Sequence, residues 1–222
     1  MKVTWLGQAG LLFVTDQTTI LVDPYFSDSA AAVAVHRKID VPDFVWDIKP
    51  DLMLFTHDHI DHYDPETVPH FIHAKSAVTV LSPCSVWEKV RKAGGSNNFV
   101  RVSPGVVWSH GDVTVTTVGA VHSDPYAVGY IIEHQGKTYY VTGDTLFCPS
   151  MLQSINISVD YVFLPINGKG NNMNAVDAAK FCDCVGARYA VPIHFGTLDD
   201  LDPSVFVWKN VLIPTFYKEM TF

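Results

Sequence analysis

The chain reads as an α/β protein, and three observations carry that reading. Short β-rich runs at 2–6, 11–15 and 19–23, parted by small turns, predict an opening antiparallel meander. Strand and helix patterns then alternate over 51–56, 65–73, 78–81, 84–92 and 99–102, the rhythm expected when helices cover a sheet. Strands return at 106–109, 112–119, 127–133 and 137–142, which predicts a second sheet-forming half. At 222 residues, with 48% apolar and 17% charged residues, the chain is long and apolar enough for a substantial core, so 1–222 is read as one domain.

The meander is built from Val, Trp, Leu, Phe and Ile, with turns at Gly7-Gln8-Ala9-Gly10 and Asp16-Gln17-Thr18, and it stops at Asp23-Pro24. Gln8 either stabilises its turn or faces a site, and the turn role is the simpler expectation. Between 25 and 50 only one helical turn near 30–35 is legible. The aromatics Tyr25, Phe26, Phe44 and Trp46 nevertheless make the segment a candidate substrate cover. His36 there reads as a surface histidine.

Asp64-Pro65-Glu66 predicts a helix start, with Asp64 as N-cap and Val68, Phe71 and Ile72 turned inward. His70 and His73 ride on that helix without a carboxylate partner, so they predict a solvated face. Ser82-Pro83 opens a helix through Lys92 that ends at Gly94-Gly95. Strands 127–133 and 137–142 face each other across His134-Gln135-Gly136 as a tight hairpin. After strand 160–164, Asn174 predicts a helix cap, Ala175, Ala178, Phe181, Cys182 and Val185 an inward stripe, and Gly186 its end. A strand at 189–193 follows. A closing helix at 203–210, with Val205, Phe206 and Trp208 inward, and a last strand at 212–217 complete the expectation.

The densest chemistry is Phe55-Thr56-His57-Asp58-His59-Ile60-Asp61-His62, directly after the apolar run 52–55. Charged imidazoles so close would repel one another, whereas neutral imidazole and carboxylate are donors that Zn²⁺ and its first-row neighbours accept. On a helix, His57, His59, Asp61 and His62 would point to roughly 0°, 200°, 40° and 140°, which no single cation reaches. A strand end turning into a loop lets them converge. Further along, His122 follows strand 112–119. Asp144 follows Gly143 at the end of strand 137–142, and His194 follows Tyr189-Ala190-Val191-Pro192-Ile193. Taken alone, Asp144 also fits the cap of a helix over 149–153, which begins late for that role.

His57-x-His59-x-Asp61-His62 resembles the H-x-H-x-D-H signature of the metallo-β-lactamase superfamily, and the likeness runs along nearly the whole chain. Its nearest flavour is that of short hydrolases related to L-ascorbate-6-phosphate lactonase. The resemblance implies an αββα four-layer sandwich. It implies His122, Asp144 in Gly143-Asp144-Thr145, and His194 as the remaining metal ligands. One cation would be held by His57, His59 and His122 and a second by Asp61, His62 and His194, with Asp144 bridging. Many members carry His at the place of Gln8. The resemblance also gives Asp23 the task of orienting the metal loop from behind, against the plain alternative of a strand-ending turn. The di-iron, oxygen-reducing branch carries Glu where this chain has His59, so the all-imidazole first site favours hydrolysis over redox iron.

The expected activity is therefore a metal-dependent hydrolase using a metal-activated hydroxide on a small ester, lactone or phosphorylated metabolite, with Asp61 as the catalytic carboxylate. Zn²⁺ is the first expectation, and Mn²⁺ or Fe²⁺ suit the same donors. Asn167 and Lys169, in the loop Leu164-Pro165-Ile166-Asn167-Gly168-Lys169-Gly170-Asn171-Asn172, either grip a substrate phosphate or carboxylate or belong to an ordinary glycine-rich connection. Alternatives are a phosphodiesterase on a nucleotide or RNA and a catalytically silent metal-binding protein. A net charge of −8 speaks against nucleic acid held by its phosphates. No G-x-S-x-G competes with metal chemistry. Cys84, Cys148, Cys182 and Cys184 form no C-x-x-C pair, no leader or ~20-residue apolar span is present, and a cytoplasmic protein with reduced thiols and no membrane partner is expected. The sequence leaves a homo-oligomer open.

Overall fold

The computed structural model describes residues 1–74, 76–152, 155 and 158–221. Strands β1 (Lys2–Trp5), β2 (Leu11–Val14) and β3 (Thr19–Val22) form the antiparallel meander. Strands β4 (Leu52–Leu54), β5 (Thr79–Ser82) and β6 (Asn98–Arg101) then add in parallel beside β3. In the second sheet β7 (Val107–His110), β8 (Val113–Gly119), β9 (Val128–His134) and β10 (Lys137–Val141) run antiparallel, and β11 (Tyr161–Pro165) and β12 (Tyr189–Ile193) continue parallel to β10. The two-residue β13 (Glu219–Met220) returns to the edge of the first sheet against β1. The β9–β10 turn places Gln135 and Gly136 at φ 49° and 74°, the left-handed pair that matches hairpin twist.

Side-chain alternation explains the layering. On β3, β4 and β5, Ile20, Val22, Leu52, Leu54 and Leu81 enter the core shared with the second sheet. Leu21, Met53 and Val80 face the other way, against Val68, Phe71 and Ile72 of α1 (Val68–Ile72) and Val86 and Val90 of α2 (Cys84–Ala93). Burial on both faces accounts for the unbroken apolar run of β4, each such side chain being worth about 1.5–3 kcal/mol. Between the sheets, Phe13 meets Tyr139 and Phe163 edge-on at 6.0 and 5.6 Å. Beyond the short α3 (Pro149–Leu152), α4 (Ala175–Cys184) covers the outer face of the second sheet, where Phe181 packs on Tyr140 at 5.7 Å. The result is helix, sheet, sheet, helix. Gln153, the expected end of α3, lies outside the described residues.

Asn174 caps α4 as expected, its Oδ1 accepting from the N–H groups of Val176 and Asp177, both at 2.9 Å. Other expectations are corrected. The helix expected from Asp64 begins only at Val68, because the Asp64 carboxylate is fully buried and committed to several donors. It accepts from the backbone N–H of Phe26, Ser27 and Glu66 and from the hydroxyls of Ser27 and Thr67, tying the 26–27 segment to the turn. The closing helix at 203–210 is a single 3₁₀ turn, Pro203–Val205. Val205 and Val207 are β-branched, poor helix formers, and both are exposed, whereas Phe206 is buried and Trp208 packs against the core. The strand at 212–217 is absent too. Pro214 lacks a ladder donor, and one bridge from Val211 to Ala190 precedes β13.

Candidate metal centre

The ligand-bearing strand ends share one rim. The chain leaves β4 into His57–His62, β8 into His122, β10 into Asp144 and β12 into His194, so both sheets deliver side chains to the same end of the sandwich. The fully buried β4 brings His57 and His62 into the interior at no exposure, while His59 and Asp61 sit partly open to the cleft. All seven sequence-predicted donors meet. His57, His59 and His122 form one group, His57, His62 and Asp144 a second, and Asp61, His62 and His194 a third, with ligand atoms in each group within 4.8 Å of one another.

Outer partners aim the rings. His62 Nδ1 lies 2.8 Å from Asp23 Oδ2, and a carboxylate only accepts, so Nδ1 carries the proton and Nε2 is left for the cluster. Thr56 donates its hydroxyl to the same Asp23 oxygen at 2.5 Å and its N–H to Oδ1 at 2.8 Å. Its Oγ1 stands 3.1 Å from His57 Nδ1. His59 Nε2 meets Ser123 Oγ at 3.1 Å, and His122 Nδ1 meets the carbonyl of Asn171 at 3.3 Å. Asp23 thus lies behind the cluster, in contact with His62 and Thr56, and its φ of 39° also sets the strand-ending turn.

The test of fit to a cation lies in two atoms. Nε2 of His57 and Nε2 of His62 are buried and lack any hydrogen-bond partner among the described residues, although buried polar atoms are ordinarily satisfied. His62 Nε2 faces Asp144 Oδ1 at 3.4 Å and Asp61 Oδ2 at 3.8 Å. A divalent cation between bare nitrogens and carboxylate oxygens satisfies all of them. The residues fit such an ion. Without one, the same groups polarise each other. Burial opposes charge on His62 and His194, but the carboxylates of Asp144 and Asp61 outweigh it, raising His62 well above its ordinary range and His194 to about 10. Burial, with His62 next to it, holds His57 well below the usual imidazole range, and burial lowers His122 as well. Against the cost of burial, Asp144 is lowered chiefly by His194 and His62, and Asp61 by His62 and then His194.

A cleft of about 360 Å³ opens onto this cluster. Ala30, Val33, Val35, Ile60 and Leu198 give it an apolar wall, and Asn167, Lys169 and Asn172 line it too. The 29–35 part of the segment read as a substrate cover therefore does border the site, as a 3₁₀ helix over Ser29–Val33. His36 pairs with Asp28 and His70 with the carbonyl of Trp46, both exposed and away from the donors, in line with their surface reading. Lys169 is exposed at the cleft, whereas Asn167 turns inward, its Nδ2 3.0 Å from His194 Nδ1.

Sequence reasoning misassigned Gln8. Its backbone sits at φ 48°, and its side chain is buried in the site, donating through Nε2 to Asp61 Oδ2 at 2.7 Å and lying 2.9 Å from His194 Nε2. The turn is instead stabilised by the main chain of Gln8: its carbonyl accepts from Trp5 Nε1, and its N–H donates to Thr197 Oγ1. The placement of His in many relatives was the available signal. Asn172, which donates to Asp144 Oδ2 at 2.7 Å, and Asp124, which accepts from Ser85 Oγ at 2.6 Å and from the N–H of Asp58 at 3.2 Å, were also missed. Nothing in a Gly/Asn-rich loop distinguishes one amide from its neighbours.

Known proteins resemble this chain in sequence and in fold. Residues 18–195 match the family described as "Beta-lactamase superfamily domain". The UPF0173 protein PF0020 of Pyrococcus furiosus is 30% identical over 207 residues, covering 93% of this chain and 89% of that one. A UPF0173 metal-dependent hydrolase of Nitratidesulfovibrio vulgaris (strain Hildenborough) is 30% identical over 221 residues, covering 95% and 87%. Among solved structures, Igni18, a metallo hydrolase from the archaeon Ignicoccus hospitalis, superposes with a TM-score of 0.78 at 21% identity over 100% of this chain and 97% of that one, a likeness of fold. Family match, relatives and fold agree that the chain belongs to the metallo-β-lactamase superfamily, as a metal-dependent hydrolase of its UPF0173 family.

Proposed function

We propose that residues 1–222 act as one hydrolase domain in which His57, His59, Asp61, His62, His122, Asp144 and His194 hold one or two divalent cations and cleave a small ester, lactone or phosphorylated metabolite. The observation that carries this reading is the pair of buried Nε2 atoms of His57 and His62, without a hydrogen-bond partner among the described residues, the latter facing the carboxylates of Asp144 and Asp61. Zn²⁺ heads the candidate metals for this His/Asp set, with Mn²⁺ or Fe²⁺ accepted. When bound, the cation supplies a water whose pKa falls from 15.7 to about 7 and a Lewis-acid face for a developing oxyanion.

The chain's own groups do the rest. Asp61 is kept ionised beside His62 and His194 and is oriented by the Gln8 amide, so it stands ready as a carboxylate that accepts a hydrogen bond from the attacking water and orients it. The apolar wall of Val33, Val35, Ile60 and Leu198 accepts the substrate's hydrocarbon part, and Lys169 at the cleft edge meets a carboxylate or phosphate. At about 360 Å³ the cleft suits a small metabolite rather than a polymer. A lactonase-like preference is the finer form of the proposal, supported by the resemblance of the motif loops.

The test is metal content by elemental analysis together with turnover of lactones, esters, thioesters and bis-aryl phosphates. The reading expects a bound divalent metal and ester or lactone turnover, abolished in a folded His57→Ala protein. Turnover of the phosphodiester alone would replace it with the phosphodiesterase reading. Full activity in His57→Ala would remove the metal site from the chemistry.

A further inference from the structure

His194 Nε2 lies 3.3 Å from both Asp61 Oδ2 and Asp144 Oδ2 and belongs to the donor group of Asp61 and His62, so it is the nitrogen that faces the cation. The other ring nitrogen must then carry the proton and needs an acceptor, because a coordinated imidazole has no other place for it. Among the described residues, two side-chain groups reach Nδ1. Gln8 Nε2 is 3.3 Å away but is committed to Asp61 Oδ2 at 2.7 Å. Asn167 is closer, at 3.0 Å from Nδ2.

As oriented, that amide presents a donor to a nitrogen that must itself donate. Its Oδ1 is buried without a partner among the described residues. The two ends of a carboxamide have nearly the same shape, so a half-turn about χ2 places Oδ1 at the imidazole without moving the chain. Among the described residues, no hydrogen bond holds the oxygen end where it stands. The backbone of Asn167 is bridged to Asn174 at the cap of α4, which ties this part of the loop to the start of that helix.

From the orphaned Oδ1 and the 3.0 Å approach to His194 Nδ1, we infer that Asn167 is a positioning residue for the metal: its side-chain oxygen accepts the His194 Nδ1 proton and so fixes the tautomer that ligates. It does for His194 what Asp23 does for His62, with a neutral acceptor. This replaces the substrate-gripping role expected for Asn167 and leaves Lys169 alone in that role. The inference rests on the proposed ligand set, His194 included.

The experiment titrates the full-length, metal-stripped protein with Zn²⁺ against a chelator of known affinity, for wild type, Asn167→Leu, Asn167→Asp and His194→Ala. Folding of each is checked by circular dichroism. Asn167→Leu is expected to bind the ion of the His194 site about 10–100-fold more weakly, and Asn167→Asp, which keeps an acceptor, to stay near wild type. In ¹H–¹⁵N spectra of the Zn²⁺-loaded histidine rings, a slowly exchanging Nδ1–H of His194 is expected in wild type and Asn167→Asp and is lost in Asn167→Leu. Wild-type affinity and an intact Nδ1–H in Asn167→Leu would overturn the role of Asn167 while His194→Ala still binds weakly. Wild-type affinity in His194→Ala would overturn the ligand set itself, and this inference with it.

Discussion

Three donors converge on Asp23, a fully buried carboxylate: Thr56 through its N–H and its hydroxyl, and His62 through Nδ1. Asp23→Asn is therefore expected to weaken divalent-metal binding by about 10–100-fold while the strands persist, measured by chelator competition and circular dichroism. An unchanged metal affinity would show that Asp23 only shapes the turn. The raised pKa of His194, about 10, predicts a second behaviour. At neutral pH the metal-free ring holds a proton that an incoming cation must displace, so binding releases protons and apparent affinity climbs as pH rises toward that value. Calorimetry in buffers of differing ionisation enthalpy reads the release directly, and heats independent of buffer would refute it. For the metal-free fold the sign is the reverse. A raised histidine stabilises most below its unfolded value near 6.5, and the contribution is lost as pH climbs through about 10. The His57–His62 cluster was legible from residue type and spacing, whereas His122, Asp144 and His194 were legible only through the family resemblance. Gln8 was not, because a glutamine in a turn carries no sign of which way its amide points, and a φ of 48° decides that only in three dimensions.

At the scale of the element, the end of β10 shows how tightly a ligand is delivered. Gly143 has φ 62°, and a Cβ there would stand 2.8 Å from Thr56 Cβ and 3.0 Å from the carbonyl oxygen of Val128. Gly143→Ala therefore combines left-handed backbone strain of about 1–2 kcal/mol with overpacking against a neighbour that holds His57 and Asp23. A loss of stability of at least ~2 kcal/mol is expected from denaturant unfolding, together with weakened metal binding. A protein as stable as wild type would mean that the β10 end shifts freely. Strand ends were legible because apolar runs stop where polar ligands begin. The C-terminal segment was not: Phe206 and Trp208 suggested a helix face, but Pro203, Pro214 and the β-branched valines allow no regular ladder, and isolated contacts with β12 and β1 take its place.

For the whole molecule, a cation held by the proposed ligand set would couple the two sheets, since His57, His59, Asp61 and His62 arrive from one sheet and His122, Asp144 and His194 from the other. An ion that binds only the folded state at 1,000 times its dissociation constant adds about 4 kcal/mol. For a chain of this length that is roughly 8–16 °C in Tm, at 2–4 °C per kcal/mol. Calorimetric scans across a metal titration should show a Tm that keeps rising with free ion, and a Tm indifferent to chelator would contradict the coupling. The pairing of two sheet-forming halves could be read from the strand rhythm. Which faces meet could not, because β3, β4 and β5 are apolar on both sides and alternation alone does not say which side looks inward.

The sandwich is also clasped at its far end, by groups that need no ion. Asp112, in the β7–β8 turn, accepts from the hydroxyls of Thr15 and Thr18 in the β2–β3 turn, at 2.7 and 3.1 Å, and stands 3.0 Å from His134 Nε2 at the end of β9. Losing metal therefore unfastens the molecule from one side only, like a book held by its spine. In deuterium-exchange measurements on the stripped protein, amides around 57–62, 120–122 and 194–197 should loosen while those near 15–18 and 110–113 stay closed.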